Sequence, residues 1–141
     1  MVLKKYKENK KIPYIGIAKC GKNIYNANKA RKYRLLFNTK MGGKKRVNKL
    51  RVLIVDDSAR TISLIKDSLS EDNEVEIVGQ AEDGLEAIEM IRETKPDVVF
   101  LDLIMPKMDG LLVLEKVCQG LPGIEKRPEF IVVTAVTQEN V

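Results

Sequence analysis

Histidine is absent from the 141 residues, and so is tryptophan. Without an imidazole there can be no Ser-His or Cys-His nucleophile pair and no histidine-ligated zinc. Nor can the chain be a phosphohistidine donor. Cysteine is down to two, Cys20 and Cys118. They lie far apart and fit no metal-ligand spacing, which reads as two reduced thiols and not a disulfide framework. Aromatics make up only 5% of the residues, so the apolar fraction is mostly aliphatic, which suits a compact α/β protein. No apolar run approaches the ~20 residues that a membrane helix needs. Lys4 and Lys5 have no apolar stretch behind them, so the N-terminus does not read as a secretory signal. A cytoplasmic protein with no membrane attachment is expected, and its chemistry has to come from carboxylates, hydroxyls and lysines.

The length is one domain's worth, enough to bury a sizeable core. The net charge of +5 hides a division. Residues 1–50 hold sixteen Lys/Arg against one acid, Glu8, a balance of +15. Residues 51–141 hold nine Lys/Arg against nineteen Asp/Glu, a balance of −10. Two unlike pieces are joined, a basic extension over residues 1–48 and an acidic domain over 49–141.

The extension carries all four tyrosines, Tyr6, Tyr14, Tyr25 and Tyr33, among many Lys, Asn and Ile. No helical or alternating apolar period is sustained. It can be read as a nucleic-acid-binding arm, as a disordered solvated tail, or as translated A/T-rich intergenic DNA ahead of a true start near Met41. The composition fits the third best, and residues 1–40 are expected to be dispensable.

The acidic domain alternates strands and helices. LRVLIV (Leu50–Val55) is a branched apolar run of the kind buried on both faces of a parallel sheet. It ends in Asp56-Asp57, and Ser58 then caps a helix bearing Ile62, Ile65 and Leu69. Val75, Ile77 and Val78 form a second strand ending at Gly79. Leu85, Ala87, Ile88 and Ile91 mark a helix that stops at Lys95-Pro96. VVFL (Val98–Leu101) is a third strand, followed by Asp102 and a Met105-Pro106 turn. Asp109-Gly110 opens a helix with Leu111, Leu114, Val117 and Cys118, and FIVV (Phe130–Val133) is a fourth strand ending at Thr134. This order predicts a doubly wound parallel α/β sheet with its ligand site at the carboxyl ends of the strands.

At that edge the pattern gathers Asp56, Asp57, Asp102 and Thr134. Carboxylates so close need a raised pKa or a cation among them. Oxygen ligands alone point to a hard ion, Mg²⁺. Asp56 and Asp57 would hold it, with the backbone carbonyl of Ile104 completing the shell. Asp102, alone at its strand end before a turn, is the natural nucleophile toward a phosphoryl group, and the Thr134 hydroxyl can bond a phosphoryl oxygen.

LIVDDS, DVVFLDLIMPKMDG and VVTA, in this order and spacing, resemble the response-regulator receiver family from about Leu50 to Val141. The resemblance implies a flavodoxin-like fold of five strands and five helices. It implies that Asp102 takes phosphate from a histidine kinase or histidine phosphotransfer protein, with Asp56 and Asp57 as the metal pocket and Thr134 as the switch hydroxyl. It implies no enzyme activity beyond the domain's own aspartyl phosphorylation and dephosphorylation. DNA would be bound only by an effector domain, which this chain lacks. KPDVVFLDLIMPKMDGLLVLEKV and RPEFIVVTAVTQENV are most similar to the stage zero A sporulation transcription factors, and RVLIVDDSA resembles chemotaxis-type receivers as much. The family's Lys after strand five would lie beyond Val141. On this reading the fourth strand is left as a bare apolar edge, and the chain is expected to aggregate or stay partly molten and to take up little phosphate.

Overall fold

The computed structural model describes residues 48–70 and 72–134, together with two short strands nearer the N-terminus, β1 (Tyr14–Ala18) and β2 (Tyr25–Asn26). The acidic segment folds as the alternation predicts: β3 (Leu50–Val55), α1 (Ala59–Ser70), β4 (Val75–Ala81), α2 (Gly84–Thr94), β5 (Val98–Leu101), α3 (Gly110–Gln119) and β6 (Glu129–Thr134). β4, β3, β5 and β6 lie side by side, each pair parallel. β3 is first in this segment yet sits between β4 and β5, so the winding reverses between β3 and β5. Crossovers run outward to β4 on one side and to β5 and β6 on the other. This is the flavodoxin-like doubly wound arrangement, whose crevice opens at the carboxyl ends of those two central strands.

The strand period of two divides the core. Leu53, Val55, Val99, Leu101, Phe130 and Val132 point to one face, where α2 and α3 cover them with Ala87, Ile88, Ile91, Val113 and Val117. Leu50, Val52, Ile54 and Val98 point to the other, where Ile62, Ile65 and Leu69 of α1 pack. With both faces covered, the central strands β3 and β5 read as largely apolar runs and not as alternating ones.

Several expectations change. β4 continues two residues past Gly79, because Gln80 and Ala81 pair with Ile54 and Val55 after a register shift at Val52/Leu53. Leu85 and Leu111, expected on the inner faces of their helices, are 53% and 54% exposed. The buried positions are Gly84, Ala87, Ile88 and Ile91 in α2, and Gly110, Val113 and Val117 in α3. The edge of β6 is not bare. β1 runs antiparallel along it, from Tyr14 opposite Thr134 to Ala18 opposite Phe130, and β2 pairs with β1. The basic extension is therefore not wholly without structure, since YIGIA is just long enough to satisfy the backbone groups of an edge strand. Cys118 is disulfide-bonded, which corrects its reading as a reduced thiol. Cys20, residues 135–141 and the proposed start at Met41 lie outside the described residues. Among the described residues no helix is long and apolar enough to cross a membrane.

Candidate phosphoryl-acceptor site

Two strand ends build the site. Val55 is the last residue of β3, and the Asp56 N–H still reaches the carbonyl of Ala81 at 3.0 Å, extending the ladder with β4 by one rung. Asp102 follows β5 in the same manner, its N–H donating to the carbonyl of Val55 at 2.9 Å. Backbone bonds thus set both residues at the winding reversal. The carboxylates of Asp56, Asp57 and Asp102 offer oxygens that lie within 4.8 Å of one another. Asp56 is 4% exposed, Asp102 is half-buried and Asp57 is exposed.

Burial pushes the Asp56 carboxyl up from its usual 3.8 to about 6. The Ser58 N–H, 2.8 Å from its Oδ1, works against that rise, and the charges of Asp102 and Asp57 add to it. Asp102 is raised as well, by burial first and by the charge of Asp57, against the N–H groups of Ile104 and Leu103. The Ile104 N–H donates to its Oδ1 at 3.1 Å. A carboxylate that is buried and faces two like charges is short of positive charge. The donor atoms are all oxygen, so the residues fit a hard divalent cation such as Mg²⁺.

Of the residues expected at the site, Asp56, Asp57 and Asp102 come together. Ile104 is 65% exposed and turns its N–H to Asp102. Thr134 is the last residue of β6, two positions beyond the Leu101–Val132 pair, and its side chain lies outside the described residues.

The loop after Asp102 is held by Gly110 and Asp109, which the sequence placed at the start of a helix, and by Lys107 and Asp83, which it did not single out. Gly110 donates its N–H to the Leu103 carbonyl at 3.0 Å, and a Cβ there would lie 2.0 Å from the Asp102 carbonyl oxygen. Asp109 caps α3 by accepting from Leu112 N–H at 2.8 Å. Lys107 has a left-handed backbone (φ 63°), and its Nζ lies 2.7 Å from Oδ2 of Asp83, the N-cap of α2. An Asp just ahead of a helical apolar run is an N-cap signature that could have flagged Asp83. Nothing in the sequence pairs it with Lys107.

Comparison with known proteins agrees with this geometry. The chain is 45% identical over 92 residues to a protein-glutamate methylesterase/protein-glutamine glutaminase of Pyrococcus abyssi, covering 65% of this chain and 24% of that protein. It is 43% identical over 91 residues to protein-glutamate methylesterase/protein-glutamine glutaminase 1 of Methanospirillum hungatei, covering 64% and 25%. The chain thus spans about a quarter of the length of these curated relatives. Among solved structures it is similar to the response regulator domain of Thermotoga maritima CheB, with 36% identity and a TM-score of 0.57 over 67% of this chain and 66% of that one. It is also similar to a CheX–CheY–BeF3–Mg complex from Borrelia burgdorferi, with 34% identity and a TM-score of 0.54 over 65% and 66%. The finer likeness to sporulation regulators finds no support here, because the matches point to methylesterase and chemotaxis receivers. The expectation of a protein with no enzyme activity beyond its own phosphorylation is corrected too, since these relatives are enzymes by name, although the match covers only their receiver part. Residues 52–141 match the model of the response regulator receiver domain, and the chain belongs to that family.

Proposed function

We propose that this domain, residues 49–141, accepts a phosphoryl group on Asp102 from the phosphohistidine of a histidine kinase or phosphotransfer protein, in a chemotaxis-type pathway in the cytoplasm. The observation that carries this reading is the gathering of three carboxylates at the winding reversal, with Asp56 buried among like charges. An oxygen of the Asp102 carboxylate attacks phosphorus while the phosphorus–nitrogen bond of the donor breaks. The imidazole nitrogen leaves with the electron pair, and an acyl phosphate forms. The Ile104 N–H orients the carboxylate by holding Oδ1, which leaves Oδ2 to attack. Asp56, Asp57, Asp102 and the Ile104 carbonyl would hold Mg²⁺, which supplies charge stabilisation to the transferred oxygens. The Thr134 hydroxyl is assigned to one of those oxygens. By its relatives, the domain regulates a methylesterase/glutaminase effector.

The test is incorporation of phosphate from acetyl phosphate, read as an acid-stable, base-labile mass increase. It should require Mg²⁺ and vanish in Asp102→Asn. Labelling that persists in Asp102→Asn would refute the assignment. A second reading, nucleic-acid binding by the basic extension, predicts salt-sensitive retention of DNA by the full chain and none by residues 49–141.

A further inference from the structure

We infer that Asp83 and Lys107 form a clasp that positions the Asp102 loop, by tying its crown to the N-terminus of α2. Four observations converge on it. The Lys107 Nζ sits 2.7 Å from Asp83 Oδ2, while Asp83 Oδ1 accepts from the N–H groups of Leu85 and Glu86, both at 3.0 Å. One carboxylate therefore serves the helix with one oxygen and the loop with the other. One residue on from each partner, the Gly84 N–H donates to the Met108 carbonyl at 3.1 Å, so the ion pair and a backbone bond lie side by side. A Cβ on Gly84 would stand 2.4 Å from that same carbonyl, so the helix end is pressed against the loop. Lys107 itself has φ 63°, a backbone region unfavourable to a lysine that the ion pair offsets. Lys107 also holds the Asp83 carboxyl below the usual carboxylate range, as a working charge pair requires.

The consequence runs through the loop ends. Asp102 opens the loop and Asp109 closes it against α3. With the crown fixed on α2, the Asp102 backbone carbonyl and side chain have one position relative to Asp56 and Asp57. Loss of the clasp frees the crown and lets Asp102 drift. For its effect on phosphoryl acceptance the inference rests on the proposed function, but its effect on the loop does not.

The experiment uses the full chain and four variants. Asp83→Asn keeps an oxygen for the helix cap and loses the charge. Lys107→Met loses the charge and keeps the stem. Lys107→Gly loses the charge and relieves the backbone, and Lys107→Arg keeps the charge. Amide exchange at Gly84 should accelerate in the first three and match the parent in Lys107→Arg, with exchange across β3 and β5 unchanged. The rate of labelling by acetyl phosphate should fall by about tenfold in the first three, less than the ~10²-fold that a 1 Å misplacement costs. The double variant Asp83→Asn/Lys107→Met should be no slower than either single. High salt should slow the parent toward the variants, since an exposed ion pair is screened. Unchanged Gly84 exchange in Asp83→Asn and Lys107→Met, or additive losses in the double variant, would overturn the clasp. Parent-like behaviour of Lys107→Gly would overturn it too, by showing that backbone strain alone matters. If the parent takes no phosphate while Gly84 exchange follows the pattern above, the proposed function fails and the clasp stands as a loop anchor.

Discussion

The metal-free domain should lose stability as pH rises from about 4 to about 6, opposite to the usual behaviour of a paired carboxylate. Asp56 is responsible. Its folded carboxyl is raised to about 6, against 3.8 in an open chain. The folded state thus holds its proton more tightly than the unfolded state does. The resulting stabilisation is fully present below about pH 4 and is lost as pH climbs through about 6. At 1.36 kcal/mol per pH unit, that interval is worth about 3 kcal/mol. Asp102 is raised as well and acts with the same sign. Asp83 is lowered, so its contribution is lost only at the acid end, below this window.

A substitution isolates the effect. Asp56→Asn removes the charge and keeps an oxygen to accept from the Ser58 N–H. Thermal unfolding in a chelator, followed by circular dichroism from pH 4.5 to 7.5, should show the parent falling steadily. Asp56→Asn should stay level apart from the smaller share due to Asp102, and should melt above the parent at pH 7.5. For a domain of this size 1 kcal/mol moves the midpoint by roughly 4–8 °C, so the two curves should part by about 10 °C or more. Mg²⁺ at about a hundred times its dissociation constant returns ~2.7 kcal/mol to the parent at pH 7.5, and much less to Asp56→Asn. Parallel curves for the two proteins without metal would refute the reasoning.

Other perturbations follow from the same geometry. Gly110→Ala, whose new Cβ would meet the Asp102 carbonyl oxygen at 2.0 Å, should displace the loop, lower stability by about 1–3 kcal/mol and slow Asp102 labelling, as denaturant titration and acetyl phosphate kinetics will read. Phe130→Ala empties the largest fully buried side chain among the described residues and should cost about 3–5 kcal/mol on denaturant unfolding. Removing residues 1–48 takes β1 from the edge of β6 and with it several backbone bonds worth ~0.5–1.5 kcal/mol each. The shortened chain should self-associate by light scattering, and a monomer with unchanged β6 amide exchange would count against the pairing. Lys95→Gly should stabilise by up to about 1 kcal/mol, because Lys95 ends α2 at φ 46° and that left-handed cap suits glycine.

The sheet was legible because its strands are buried on both faces. VVFL has no polar interruption and LRVLIV only Arg51 near its start, and the acids that follow them mark the end of each strand. Asp56, Asp57 and Asp102 could be found from order alone, since parallel strands all deliver their carboxyl ends to one edge. β1 could not. YIGIA is one short apolar stretch in a basic segment, and its strand state depends on pairing with β6, more than a hundred residues away along the chain. The Asp83–Lys107 pair is similarly non-local, its partners 24 positions apart and its lysine in an unfavourable backbone region.

The errors in helix phase have one cause, and it lies at the site. In α2 and in α3 the sequence pattern starts the buried stripe at the first leucine, Leu85 and Leu111, and both are exposed. The true stripes begin one residue earlier, at Gly84 and Gly110, and then run Ala87, Ile88, Ile91 and Val113, Val117. A glycine has no apolar side chain, so a search for apolar period passes over it. Yet these two positions can hold nothing larger. A Cβ at Gly84 would strike the Met108 carbonyl, and one at Gly110 the Asp102 carbonyl. Both helices therefore begin in contact with one loop, the loop that carries the proposed phosphoryl acceptor Asp102. A buried glycine at the head of an amphipathic helix marks a close approach of backbone to backbone, and here both approaches converge on the segment whose position sets Asp102.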